Sequence, residues 1–364
     1  MKKESVKILG IESSCDETAV SIVEVNKSDK GKILSNIVFS QVDEHSPFGG
    51  VVPEIASRSH VESLSPLIDQ ALEEACLSIE DIQGVAAASG PGLIGGLIVG
   101  LTTAKGIALG LNIPLIGVNH LEGHALTPIL TNDISPPYIL LLVSGGHTQL
   151  IMVKNIGHYS QIGTTIDDAA GEAFDKAAKF LDIGYPGGPA LENLAKKGNN
   201  KKFNFPRPLK NSIECNFSFS GLKTSLIREA KKIEPINDET LADLAASYQE
   251  AIIDCIKIKS EKAIKKMLNE SENSEIQYFV ASGGVASNKA IRNNLTVLTN
   301  KYKMKFIAPP IKFCTDNAAM IAWVGGLRLL RGQNDKLNIP ARARWPIEEM
   351  QIREIANELS LIHI

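Results

Sequence analysis

Cysteine is scarce: Cys15, Cys76, Cys215, Cys255 and Cys314 are odd in number and widely scattered. That pattern excludes a disulfide framework and a zinc motif, and it suits structural thiols in a reducing compartment. Long apolar runs are lacking as well. A membrane span needs about 18 apolar residues, and the best candidate, residues 92–111, is interrupted by Lys105. The opening "MKKESVKILGIESS" carries a basic pair, but its apolar stretch is short and stops at Glu12. Neither a signal peptide nor a membrane partner is expected, and the expected location is cytoplasmic. Positive charge is not in excess. With a net charge of −3, a nucleic-acid partner would have to be met by a local patch rather than by the field of the whole molecule. One such patch exists: residues 196–210, "KKGNNKKFNFPRPLK", hold six basic side chains, no acid and two phenylalanines. It reads equally well as an RNA contact or as a solvated loop.

The common nucleotide motifs are also incomplete. Gly90–Pro91–Gly92–Leu93–Ile94–Gly95 matches GxGxxG, but a dinucleotide site needs an acid about 20 positions on. The corresponding "GLNIPLIGVN" has none. "SGLKTS" at 220–225 lacks the adjacent Gly-Lys and the earlier glycine of a P-loop.

What is present is alternation. Residues 6–25 and 138–155 each read as apolar strand, polar turn, apolar strand; 84–111 and 276–291 each read as strand, glycine-rich loop, helix. Two copies of one plan predict a duplicated α/β fold. The first lobe is expected over 1–133 plus 309–350, the second over 134–308, with Ser135–Pro136–Pro137 near the junction and a tail at 351–364. A nucleotide is expected in the cleft of such a pair. Ser144–Gly145–Gly146, Tyr185–Pro186–Gly187–Gly188 and Ser282–Gly283–Gly284 are turns whose N–H groups can form anion nests. "TIDDAAGEAFDKAAKFL" predicts a helix over 165–181 capped by Thr165, with Asp168, Glu172, Asp175 and Lys179 along one stripe. Three acids on that stripe, with little compensation, point either to solvent or to a ligand.

"VNHLEGH" at 118–124 predicts a helix start with Asn119 as N-cap and Glu122 completing a capping box. His120 and His124 then lie one turn apart, a workable grip on a metal. A zincin needs Glu directly after the first histidine, whereas Glu122 is turned about 100° further round. A peptidase would therefore lack its base. Thr315–Asp316–Asn317 precede an apolar helix, where Asp316 is either an N-cap or a third ligand. Two histidines and a carboxylate suit Fe(II) or another octahedral ion.

"GIESSCDETAV", "FGGVVPEIASRSH", "ASGPGLIGGL", "VNHLEGH", "LLVSGGHTQL", "DDAAGEAFDKAAK", "YPGGP", "FSFSGLKT", "ASGGVASN" and "CTDNAAMIA" follow one another across nearly the whole chain. Together they resemble the TsaD family in its bacterial form. The resemblance implies a two-lobed actin-like (Hsp70/hexokinase-type) ATPase fold. It implies transfer of a threonylcarbamoyl group from threonylcarbamoyl-AMP to N6 of adenosine 37 in tRNAs reading ANN codons, at a metal-centred site. It implies one Fe(2+) per subunit, with Zn as a substitute, held by His120, His124 and Asp316. It further implies substrate contacts from Leu142, Val143, Ser144, Gly145, Gly146, Asp175, Gly188, Glu192 and Asn288; Glu192 stands where many members carry the shorter Asp. The implied partners are tRNA, TsaB-like and TsaE-like proteins, and a TsaC-type synthase that makes the donor. The alternatives are an ATPase or kinase of the same fold and a metallopeptidase.

Overall fold

The computed structural model describes residues 4–270 and 276–350; the tail expected at 351–364 lies outside the described residues. The nearly continuous apolar runs "KILGIE" and "TAVSIVEV", separated by a polar turn, form the antiparallel pair β1 (Ser5–Glu12) and β2 (Glu17–Asn26), buried on both faces. β3 (Gly31–Ser40) extends the meander. There follow α1 (Val42–His45), α2 (Pro53–Glu74), β4 (Gly84–Gly90), α3 (Ile94–Leu111), β5 (Leu115–Asn119) and α4 (His120–Asn132). The plan then repeats with β6 (Tyr138–Val143), β7 (Thr148–Asn155) and β8 (His158–Thr164). Four helices come next: α5 (Ala170–Leu181), α6 (Gly187–Ala195), α7 (Ser220–Lys231) and α8 (Asp238–Glu270). β9 (Tyr278–Ser282), α9 (Lys289–Lys301), β10 (Lys305–Ile307) and α10 (Ala318–Leu330) complete the order.

The two sheets run β3-β2-β1-β4-β5 and, read from the equivalent edge, β8-β7-β6-β9-β10. The same meander followed by the same two parallel strands is the duplication expected from the hairpins. The third meander strands, β3 and β8, are absent from the sequence reading. Both are edge strands with mixed burial, so neither carries a clean alternation.

The chain divides into two compact units, one comprising residues up to Ile134 and from Thr315 on, the other Ser135–Cys314. Residues 309–314, expected with the first lobe, group instead with the second unit. Arg292 of α9 holds them by donating to the Pro309 carbonyl and to the Cys314 sulfur, each at 3.1 Å.

In the first unit α10 lies so close on β1 that a Cβ at Gly10 would sit 2.5 Å from the Ala318 carbonyl oxygen. The buried Trp323 indole donates to the Leu126 carbonyl at 3.1 Å, fixing α10 against α4. α3 is the apolar helix expected here, although, against the expectation that Lys105 breaks the apolar run, it is long and apolar enough by length and composition alone to cross a membrane. The Lys105 ammonium reaches the Ile339 carbonyl at 2.7 Å. The helix is the crossover between parallel β4 and β5, with Leu97, Leu101, Ala104 and Ala108 buried.

The second unit corrects another. α5 begins at Ala170, not at Thr165. Thr165 still belongs to the sheet end, its N–H donating to Thr148 O at 2.9 Å and its hydroxyl to Asp168 O at 2.6 Å. The acid stripe is compensated from off its own row: Lys176 bridges Asp168 at 2.7 Å and Glu172 at 2.8 Å.

Where α8 meets α9, Glu261 accepts from Lys301 Nζ at 2.7 Å and from the Tyr302 hydroxyl at 2.6 Å. The lysine first and the tyrosine next hold the Glu261 carboxyl down at about 2. Its stabilising effect is therefore complete above the usual carboxylate value and is lost as pH falls towards 2. Glu261→Gln should cost about 1 kcal/mol at neutral pH once solvent screening is allowed for. Paired urea titrations should show this gap closing below about pH 4.5.

Candidate metal centre

β5 delivers the chain directly into α4, and Asn119 makes the junction. Its side-chain oxygen accepts from Leu121 N at 2.9 Å and Glu122 N at 3.3 Å, capping the helix as expected. His120 and His124 follow one turn apart, their rings edge to face with centroids 4.8 Å apart. From the far end of the sequence comes Asp316. Asn317, not Asp316, caps α10 through Met320 N, so the Asp316 carboxylate is left for the histidines. Its Oδ1 lies 3.0 Å from His124 Nε2 and 3.5 Å from His120 Nε2. One ligand atom from each of the three residues falls within 4.8 Å of the others. The structure thus brings together the three residues that the family resemblance groups.

The surroundings orient these groups. His120 Nδ1 faces Glu12 Oε2 at 2.9 Å and the Ser14 hydroxyl at 3.1 Å, which turns Nε2 towards Asp316. A carboxylate behind a ligating imidazole fixes its tautomer and raises its basicity. Glu12 in turn accepts from Ser14 N at 2.6 Å. Burial opposes charge on the His120 ring, but Glu12 and Asp316 outweigh it and the ring is pushed up to about 9. Burial, followed by Asp316 and Asp16, raises the Glu17 carboxyl well above its ordinary range. The site is therefore a buried, acid-rich setting that favours a cation.

The residues fit a metal. Two imidazole nitrogens and one carboxylate oxygen converge within 4.8 Å. His124 Nδ1 is buried without a hydrogen-bond partner among the described residues, so Nε2 is the nitrogen through which that ring engages its surroundings. This donor set matches a first-row divalent ion with open positions.

Glu12, the buried partner of His120, is missed by the sequence reading. The available signal was a carboxylate ending an otherwise apolar strand, and the residue is 0 % exposed. Glu12→Gln should lower metal affinity about 10- to 100-fold while leaving the three ligands in place. Competition with a metallochromic chelator measures this, and unchanged affinity would remove Glu12 from the centre.

Glu122 is not part of a capping box. Its carboxylate takes Arg328 Nη2 at 2.6 Å, with both groups buried. A long guanidinium reaching across from α10 outcompetes the local backbone, and the glutamate is committed to that ion pair.

The remaining expected site residues lie in the second unit. Leu142 and Val143 end β6 with fully buried side chains, so only their backbone can meet a ligand. Ser144 closes the turn, its N–H donating to His147 O at 2.8 Å. Packing does not require glycine at 145, 146 or 188, where an added Cβ would meet nothing within 4 Å. Gly171, at the start of α5, abuts this turn with its N–H on Ser144 O. Asp175 accepts from Gly187 N at 2.9 Å and so holds the start of α6. Glu192 accepts from Lys289 N at 2.9 Å, a reach its extra methylene permits. Asn288 caps α9 through Ile291 N at 3.0 Å, and its amide donates to Gln249 at 2.9 Å. These contacts collect the end of β6 and the N-termini of α5, α6 and α9 into one neighbourhood of the unit.

Comparison with known proteins bears on the whole chain. Residues 32–323 match the family model described as TsaD, tRNA N6-adenosine threonylcarbamoyltransferase. The chain is 52% identical over 344 residues to the tRNA N6-adenosine threonylcarbamoyltransferase of Brucella anthropi, covering 94% of this chain and 96% of that protein. The enzyme of the same name from Sinorhizobium medicae is 53% identical with the same coverage. Among solved structures, HypF of T. kodakarensis superposes with a TM-score of 0.56 at 15% identity, over 91% of this chain and 48% of that one. The activator of 2-hydroxyisocaproyl-CoA dehydratase from Clostridium difficile gives 0.50 at 14% identity, over 90% and 95%. At such identities these two speak for the fold alone, which is actin-like.

Proposed function

Since the chain belongs to the TsaD family of tRNA N6-adenosine threonylcarbamoyltransferases, and is thus an acyltransferase, we propose that His120, His124 and Asp316 form its metal centre. The reaction we assign is transfer of the threonylcarbamoyl group of L-threonylcarbamoyladenylate to N6 of adenosine 37 in tRNAs reading ANN codons, with release of AMP. The observation that carries this reading is the convergence of the three ligand atoms within 4.8 Å. Iron(II), one per subunit, is the proposed ion, with zinc able to replace it. When bound, the ion supplies a Lewis acid for the donor's carbamoyl oxygen.

The chain's own residues supply the rest. Glu12 and Ser14 hold the His120 ring in one orientation. The backbone N–H groups of Gly145, Gly146 and Gly188 offer donors to the phosphate of the adenylate. An unencumbered Cα at 145, 146 and 188 lets that phosphate approach the main chain. Asp175, Glu192 and Asn288 act by fixing the helix starts that present those donors. The donor is already activated by its AMP leaving group, so positioning suffices and no nucleophilic serine or cysteine is needed. A peptidase reading is not favoured, because the Glu122 carboxylate is committed to Arg328.

TsaB-like and TsaE-like proteins and a TsaC-type donor synthase are the proposed partners. The proposed location is cytoplasmic, in keeping with five unpaired cysteines. The test is to incubate the purified chain and partners with donor and unmodified tRNA, then digest the RNA and analyse its nucleosides by mass spectrometry. Threonylcarbamoyladenosine is expected, and its absence would refute the assignment.

A further inference from the structure

Charge is divided unevenly along the chain. Residues 135–314 carry 24 basic and 18 acidic side chains, a net +6, whereas the remainder carries 14 and 23, a net −9. A polyanionic substrate is therefore drawn to the second unit, although the whole chain is acidic.

Within that unit one segment stands out. Residues 198–214 run as a strap along α8. Asn199 N donates to Asp243 at 2.6 Å, and Phe203 N to the Ser247 hydroxyl at 3.1 Å. Arg207 makes a two-donor contact with Asp254 at 2.8 and 3.0 Å. Lys262 donates to the carbonyls of Lys210 and Ser212, and Lys259 to that of Glu214 at 2.7 Å. From Asp243 to Lys262 the strap follows the helix for about 28 Å, at 1.5 Å per residue. The two phenylalanines of this segment are its anchors. Phe205 is 1 % exposed and packs edge to face on Tyr248 with centroids 5.7 Å apart; Phe203 leans on Phe205. The aromatic groups and Arg207 are thus consumed by folding. Left outward are Lys196, Lys197, Lys201, Lys202 and Lys210, all exposed. The α8 carboxylates nearest the strap, Asp243, Glu250 and Asp254, are each engaged by it, Glu250 through the Asn200 amide at 2.9 Å.

We propose that this strap is a tRNA-binding surface that holds the phosphate backbone and reads no base. The proposal rests on the transferase reading for the identity of the RNA. Its logic is a row of exposed lysines on a hydrogen-bonded backbone scaffold, with no exposed ring to stack on a base and no fork-shaped guanidinium left to read one. Such a surface positions a substrate without selecting it. The selection of ANN-reading tRNAs is then made elsewhere.

The experiment uses the full chain with its partners, donor and unmodified tRNA. Lys201→Ala/Lys202→Ala should raise KM for tRNA about tenfold with kcat unchanged. It should also reduce the slope of log binding constant against log salt by about 1.4 to 1.8, the value for two lost phosphate contacts. The loss should be equal for tRNAs of any anticodon. Lys231→Ala/Lys232→Ala, also exposed and in the same unit, should leave KM and slope unaltered. Lys201→Arg/Lys202→Arg should restore binding, because it keeps the charge. An unaltered KM and slope in the alanine pair overturns the strap proposal while wild-type product formation still upholds the transferase reading. A failure of the arginine pair to restore binding assigns the lysines a structural role and also overturns it. If the wild type makes no threonylcarbamoyladenosine, the transferase reading fails, and the strap is judged on the tRNA binding slope alone.

Discussion

Asp316→Asn should reduce bound metal from one ion per chain to a small fraction and slow threonylcarbamoyl transfer on the order of 10³-fold. The substitution keeps the side chain's volume and one oxygen acceptor, but removes the anionic ligand that sits 3.0 Å from His124 and 3.5 Å from His120. His120→Ala should lose metal and transfer to the same degree, with an added penalty. It strips Glu12, which is 0 % exposed, of its imidazole partner, and an unpaired buried charge costs about 3 kcal/mol or more. The two variants therefore separate function from folding: the asparagine variant should melt close to the wild type, the alanine variant well below it. Metal content by elemental analysis, transfer rate and melting temperature together decide the matter. Full transfer by metal-free Asp316→Asn protein would eliminate the metal from catalysis.

The second large effect is one of stability. Glu122→Leu should destabilise the first unit by about 3 to 5 kcal/mol, because it leaves the Arg328 guanidinium buried without a counter-charge. Glu122→Leu/Arg328→Met should recover most of the loss, since an apolar pair of similar volume removes both desolvation penalties at once. Chemical unfolding of the wild type, both single variants and the double variant closes the cycle. If the double variant is no more stable than Glu122→Leu, the two side chains do not act as a pair. The double variant should also retain transfer, since neither residue belongs to the ligand set. In a peptidase that used Glu122 as its base, no such variant would retain activity.

Much of the site was legible because it is encoded locally. Asn119 before His120, and the four-residue spacing to His124, predict a cap and a one-turn pair from neighbouring residues alone. Asp316 could be nominated from its own residues but placed with the histidines only through the family resemblance, since nothing in "FCTDNAAM" announces a partner nearly two hundred residues away. Local reading left that segment's cap open: Asp316 and Asn317 are both good N-caps, and Asn317 is the one that serves. For Glu122 the local reading failed. A capping box is a local bargain, and Arg328, invisible in sequence proximity, offered a stronger contact. At the level of fold, the duplicated hairpins were readable because β1, β2, β6 and β7 are buried enough to show a pattern. β3 and β8 lie at sheet edges, where a strand can be polar and still pair. Phe203 and Phe205 show the limit of composition: an aromatic residue within a basic run can be a stacking platform or an anchor, and only packing distinguishes them.

The first unit is discontinuous, and this bears on how the protein is made. Its sheet is assembled from the earliest residues translated, yet the apolar face formed by Ile8, Val25 and Ala86 is covered by Gly325 and Gly326 of α10. All of Ser135–Cys314 must leave the ribosome before that cover exists. The inserted unit is continuous and can fold as soon as it emerges, while the older half of the chain waits with one side of its sheet open and prone to association. α10 then closes the sheet, and the same segment brings Arg328 to Glu122 and Asp316 to the histidines. Completion of the oldest part of the fold and assembly of the proposed metal centre therefore arrive in a single late step.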